Sequence, residues 1–132
     1  MGEGEKGGGK RRRRAVRSYR DLEVWQRGIN LVERMYELTR PFPAEEKFGL
    51  ISQVRRASVA IPSNIAEGWG RGSRKEYIHF LKIARSSLLE VETQIIIACR
   101  LGYISEQVME EMLEETTIES KMLLSLIRAL RR

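Results

Sequence analysis

Residue types that support acid–base, nucleophilic or metal chemistry are sparse and scattered in this chain. His79 is its only histidine and Cys99 its only cysteine. Glu90 and Glu92 stand two positions apart, so on a helix they point in different directions and cannot share a proton. The glutamates beyond residue 105 lack the Glu-x-x-His spacing that holds paired metals inside helical bundles. No cluster has zinc-ligand spacing. His79 reads as a surface or boundary residue between Tyr77 and Phe80, and Cys99 as a buried, inert thiol near a helix end. The sequence therefore predicts no enzymatic activity, no metal and no other cofactor.

Positive charge is what the chain concentrates. Lys47, Arg55, Arg56, Arg71, Arg74, Lys75, Lys82 and Arg85 face only Glu67 and Glu76 between residues 47 and 85. Gly68, Gly70 and Gly72 free backbone amides beside Arg71, Arg74 and Lys75, and the following helix aims its positive end at the same place, a pattern suited to phosphate. It is not a nucleotide-binding loop, because no G-K-[ST] closes it and no strand precedes it. An equal reading is a tight turn whose arginines pair with Glu67 and Glu76. Adjacent Arg55 and Arg56 point to sugar-phosphate contacts, nonspecific and salt-sensitive, or to salt bridges with an acidic fourth helix. Trp25 reads as core. Trp69 either stacks on a base or an arginine or plugs a subunit seam.

The formal charge is +6, and residues 1–20 account for all of it with eight bases against two acids. Lys10, Arg11, Arg12, Arg13 and Arg14 follow a glycine run, and residues 1–18 read as a disordered basic tail, equally a merely solvated segment or an arm that grips nucleic acid. Residues 21–132 hold sixteen charges of each sign, yet residues 106–119 carry six acids and no base. The body thus has a positive and a negative pole. A single cysteine fits a reducing cytoplasm. The absence of a long apolar run argues against a membrane span or a secretory signal.

Residues 19–132 must position these charges. Apolar spacing predicts a first helix over Asp21–Thr39, with Leu22, Trp25, Ile29, Val32 and Tyr36 as its buried stripe. A second helix is expected from Ala44 to Gly68 with Phe48, Ile51, Val54, Ser58, Ile61 and Ile65 on one face and a kink at Pro62. Asn64 is expected to make a buried hydrogen bond near the gap at Pro62. Ser73 and Glu76 form a capping box for the third helix, whose Tyr77, Leu81, Ala84, Leu88, Val91, Ile95 and Ala98 face the core. Gly102 is its left-handed cap. Ser105 opens the fourth helix, with Val108, Met112, Ile118, Met122, Leu126 and Leu130 in the core and Arg128, Arg131 and Arg132 matching the helix dipole. The class is all-α, an up-down-up-down antiparallel four-helix bundle. The apolar face of the third helix is wider than one seam needs, which predicts self-association.

The segments DLEVWQRG, SQVRRASVAIPSNIAEGWGRGSRKEYIHFLKIA and SLLEVETQIIIACRLGYIS resemble the four helix bundle protein family, the 23S rRNA-intervening sequence proteins. The accessory variability determinant proteins of diversity-generating retroelements are similar in type. The resemblance implies a ring-shaped homopentamer with a positively charged surface or channel. It also implies an accessory role beside a reverse transcriptase. The expected function is nonspecific nucleic-acid binding, RNA favoured, through Arg55, Arg56, Arg71, Arg74, Lys75 and Lys82 with help from the tail. The competing class is a structural homo-oligomer whose charges serve its own assembly.

Overall fold

The computed structural model describes residues 15–132. Four helices carry the fold: α1 (Glu23–Thr39), α2 (Leu50–Trp69), α3 (Arg74–Arg100) and α4 (Glu106–Arg131). Single 3-10 turns at Tyr19–Asp21 and Ala44–Glu46 precede α1 and α2, and there is no strand among the described residues. Each helix packs on the next and α4 returns to α1, leaving α1 and α3 on the diagonal. Arg55 reaches Thr39, Gly68 faces Tyr77, Arg85 reaches Ser120 while Glu92 meets Thr116, and Arg27 reaches Glu115. Numbers rise on one helix as they fall on its neighbour, so the bundle alternates up and down.

The helix ends follow their local chemistry. Ser73 Oγ accepts the Glu76 N–H at 3.1 Å, and Ser105 Oγ accepts the Val108 N–H at 3.1 Å. Gly102 takes φ +83°, and the Tyr103 N–H returns to the Ala98 carbonyl at 2.9 Å while the Gly102 N–H bonds that of Cys99. This paired closure needs a left-handed residue, which glycine supplies without strain. α2 departs from expectation. The chain makes a 3-10 turn over Ala44–Glu46 and the α-helix starts only at Leu50, whose N–H is accepted by Glu46 Oε1 at 3.0 Å. Phe48 therefore falls outside the helix and is 88% exposed instead of buried. α2 then continues without a break through Pro62.

The core of α3 is the one expected, with Leu81, Ala84, Leu88, Val91, Ile95 and Ala98 buried and Tyr77 half-buried. The α1 stripe is displaced by one residue. Val24, Gly28, Leu31, Met35 and Thr39 are buried, while Trp25, Ile29 and Val32 are half-buried and Tyr36 is exposed. Close approach accounts for this at Gly28: a Cβ there would lie 3.4 Å from Pro62 Cβ, so α1 turns its glycine toward α2 and Trp25 and Ile29 flank the seam. α4 behaves likewise. Met112 is buried as expected, but Thr116, Glu119, Leu123 and Ile127 complete its inner line and Ile118 faces out.

α2 and α3 approach closely at Gly68. A Cβ there would stand 2.8 Å from Phe80 Cβ and 3.1 Å from Tyr77 Cδ1. Overpacking of this kind costs about 1–3 kcal/mol. Gly68→Ala should lower the urea midpoint by that equivalent. Gly70→Ala, whose nearest neighbours would be 3.7 Å away, should stay within about 0.5 kcal/mol of wild type.

Candidate nucleic-acid interface

Alternation of the helices gathers three chain segments at one end of the bundle: the N-terminus of α1, the α2–α3 turn and the C-terminus of α4. Exposed Arg17, Arg20, Arg71, Arg74, Lys75, Arg128, Arg131 and Arg132 lie there, with Asp21, Glu23, Glu67 and Glu76 as the neighbouring acids. Arg74 Nη1 donates to the main-chain oxygen of Arg132 at 3.4 Å, which ties the turn to α4. Ser73, Arg74 and Lys75 open α3, so two of these cations sit in its first turn.

The cationic segment expected from sequence is divided by this geometry. Arg71, Arg74 and Lys75 stand together, and exposed Lys82 lies about two turns further along α3. Arg56 is exposed but lies roughly 20 Å from the turn along α2. Arg55 is not a free cation. Its Nε donates to Thr39 Oγ1 at 2.9 Å, its Nη2 to the Tyr36 carbonyl at 3.3 Å, and its guanidinium covers the Tyr36 ring at 4.4 Å. It caps the C-terminus of α1, where carbonyls lack helical donors. Lys10, Arg11, Arg12, Arg13 and Arg14 lie outside the described residues.

Arg71 donates to Glu67 at 3.0 Å and lies over Phe80 at 4.7 Å, which realises the paired-turn reading for this one arginine. Glu76 takes no arginine and instead accepts from the Ser73 hydroxyl at 3.4 Å. Among the described residues the ion pairs are Arg71–Glu67 and Arg27–Glu115. The acids of α4 therefore leave the predicted cations of α2 and α3 unneutralised within a subunit. Arg128, Arg131 and Arg132 belong to the same surface, although in sequence they were legible only as partners of the α4 dipole.

Other singled-out residues have structural surroundings. Trp69 is half-buried edge-on to Tyr77, with ring centroids 6.2 Å apart, so it closes the hairpin inside one subunit. Trp25 is half-buried and meets Tyr19 edge-on. Asn64 Nδ2 donates to the Ala60 carbonyl at 2.7 Å, in the turn that contains Pro62. His79 is exposed beside Phe80, and Cys99 is half-buried, not buried. Among the described residues no group of three or more His, Cys, Asp or Glu is placed to hold a metal, and no helix is long and apolar enough to cross a membrane.

Two carboxylates are electrostatically distinct. Glu46 accepts from the Leu50 N–H and, at 2.8 Å, from the Tyr103 hydroxyl, and these bonds hold it below the usual carboxylate range. Glu119 is the opposite case. It is one of the six acids that give residues 106–119 their negative charge, yet it is fully buried. Burial pushes its carboxyl up to about 8; Arg27 opposes the rise and Glu23 adds to it. Glu119 thus leaves the negative pole and joins the core.

The class defined by this geometry is an antiparallel four-helix bundle with one cationic end. The family model described as 23S rRNA-intervening sequence protein matches residues 20–125, and the chain belongs to that family. A crystal structure of a protein of unknown function from the S23 ribosomal protein family of Bacteroides thetaiotaomicron is similar, at 27% identity and TM-score 0.74 over 80% of this chain and 95% of that one. No curated protein matches the chain.

The two neighbouring arginines of α2 have separable roles. Arg55→Ala removes two hydrogen bonds and a cation–π contact and should cost about 1–3 kcal/mol in chemical denaturation. Arg56→Ala should stay within about 0.5 kcal/mol of wild type.

Proposed function

We propose that this protein is a non-enzymatic, homo-oligomeric nucleic-acid-binding protein that grips sugar-phosphate, preferably RNA, with the cationic end of its bundle. The observation that carries this reading is the position of Arg74 and Lys75. Both stand exposed in the first turn of α3, where the helix dipole disfavours cations. Arg74 offsets part of that cost with its 3.4 Å bond to the Arg132 main-chain oxygen, and a polyanion relieves the rest. Arg17 and Arg20 add two exposed cations at the same end. Arg56 and Lys82 extend the reading along the hairpin, and Arg55 drops from the contact set.

The family description and the S23 neighbour support an association with ribosomal RNA loci. The retroelement resemblance extends the reading to a reverse transcriptase as second partner. Pull-down of an RNA–reverse transcriptase complex by the bundle tests that extension.

Self-association has its own support. Leu89, Ile96 and Ile97 on α3, Leu101 just beyond it and Ile118 on α4 are exposed, and Tyr36 on α1, Phe48 before α2 and Val59 on α2 line a second apolar surface. Two unlike apolar faces suit head-to-tail contacts that close into a ring, and a pentamer is the ring proposed. Phe48→Ser should shift the sedimentation coefficient toward the monomer. An unchanged assembly would remove Phe48 from the interface.

Binding is tested by fluorescence anisotropy with an RNA hairpin at two salt concentrations, for the whole chain and for one lacking residues 1–18. Replacing Arg71, Arg74, Lys75, Arg128 and Arg131 with glutamine should weaken binding by about tenfold or more and flatten the salt slope by about 0.7–0.9 per lost phosphate contact. Unchanged binding by that variant, or binding that disappears with the tail alone, returns the protein to the scaffold class.

A further inference from the structure

Glu119 is a buried carboxyl among apolar neighbours. Its relative exposure is 0% and neither carboxyl oxygen has a hydrogen-bond partner. It occupies a slot made by absent atoms. A Cβ on Gly28 would stand 3.3 Å from Glu119 Oε2 and 3.4 Å from Pro62 Cβ, so any side chain there would press on the carboxyl. Pro62 has no N–H, which strips the Ser58 carbonyl of its helical donor in the same stretch of α2. A neutral carboxyl brings a donor to this neighbourhood, and a carboxylate brings only acceptors.

The charged groups around it do not reach it. On α1, Arg27 is committed to Glu115 at 3.2 Å, and Glu23 adds negative charge. α2 presents Ser58, Ile61, Pro62 and Ile65, none of them titratable. On α3, Arg85 donates to Ser120, next to Glu119, while Glu92 accepts from Thr116 at 2.6 Å. On α4 itself, Glu115 lies one turn before it and is held by Arg27. The α1–α4 seam is the thinnest of the bundle. A surface groove of about 370 Å³ runs along it, lined by Asn30, Leu31, Arg34 and Glu115 among others.

We propose that Glu119 is a proton-operated latch: its neutral carboxyl, seated between Gly28 and Pro62, holds α1 against α2 and α4, and loss of the proton opens the α1–α4 seam. Opening that seam releases one proton. α1 follows the residues that feed the cationic end, so the latch couples the placement of Arg17 and Arg20 to pH.

The sign follows from linkage. The carboxyl sits near 8 when closed and at its ordinary value near 4.5 when exposed. The closed state therefore binds the extra proton between those values, and its advantage is complete below about 4.5 and lost as pH rises through about 8.

The experiment is hydrogen exchange with mass spectrometry on the full chain from pH 6 to 9, corrected for intrinsic exchange, in wild type and Glu119→Gln. Wild-type opening of α1 and α4 should rise with pH by up to about tenfold per unit to about pH 8, with the middle of α2 and α3 unchanged and the glutamine variant flat. The same slope in both proteins, or none in wild type, overturns the latch. A ¹³C titration of glutamate-labelled wild type gives a readout independent of the variant's folding. A carboxyl titrating near 8 supports the proposal, and all carboxyls titrating in the ordinary range end it.

Discussion

The absence of a side chain at Gly68 governs how the rest of the molecule is arranged. α2 and α3 meet there at a distance that no Cβ allows, so the chain reverses within the few residues from Gly70 to Ser73. A wider turn would move the start of α3 away from α4. With the reversal this tight, the antiparallel order carries Arg74 to Arg132, just past the end of α4, and sets the entry to α1 beside the same turn. The cationic end is therefore a product of chain geometry. No single segment contains it.

That origin explains what could be read from the sequence. The α3 core, the Ser73 and Ser105 caps and the Gly102 closure depend on neighbours within one helix turn, and each was legible. The buried line of α1 was not. Trp25, Ile29 and Tyr36 make a convincing apolar stripe, but contact between Gly28 and Pro62 sets the rotation of α1 and places Val24, Leu31 and Met35 inside instead. Phe48 was misplaced because Glu46 caps α2 late, a tertiary detail reinforced by its bond from Tyr103. Glu119 was hidden by its company, since five other glutamates surround it in sequence and only register separates it from them.

The candidate interface was legible in part for the same reason. Arg71, Arg74 and Lys75 are contiguous, so their cluster is a local fact. Arg128, Arg131 and Arg132 join it only through the up-down order. Arg55 left it because Tyr36 and Thr39 offer a stacked ring, a hydroxyl and a free carbonyl that solvent-exposed phosphate would have to displace. Adjacent arginines on one helix thus divide between fold and surface, about 100° of rotation apart.

Two places in this bundle break local rules, and they differ in what can relieve them. At the cationic end, Arg128 and Arg131 gain from the negative pole of α4, but Arg74 and Lys75 oppose the positive pole of α3. Exposed like charges about 6 Å apart repel by only about 0.7 kcal/mol in water, which a marginally stable domain tolerates. A phosphate chain lying across both helix ends removes that repulsion, and a ligand bound only by the folded state stabilises it in turn. Glu119 is the interior counterpart. No macromolecule can reach it, its surroundings exclude water, and Arg27 is already engaged. The relief available there is a proton, small enough to enter without disturbing the seam. Surface frustration therefore points outward to a polyanion, and core frustration points to solvent pH, through helices that share the same register.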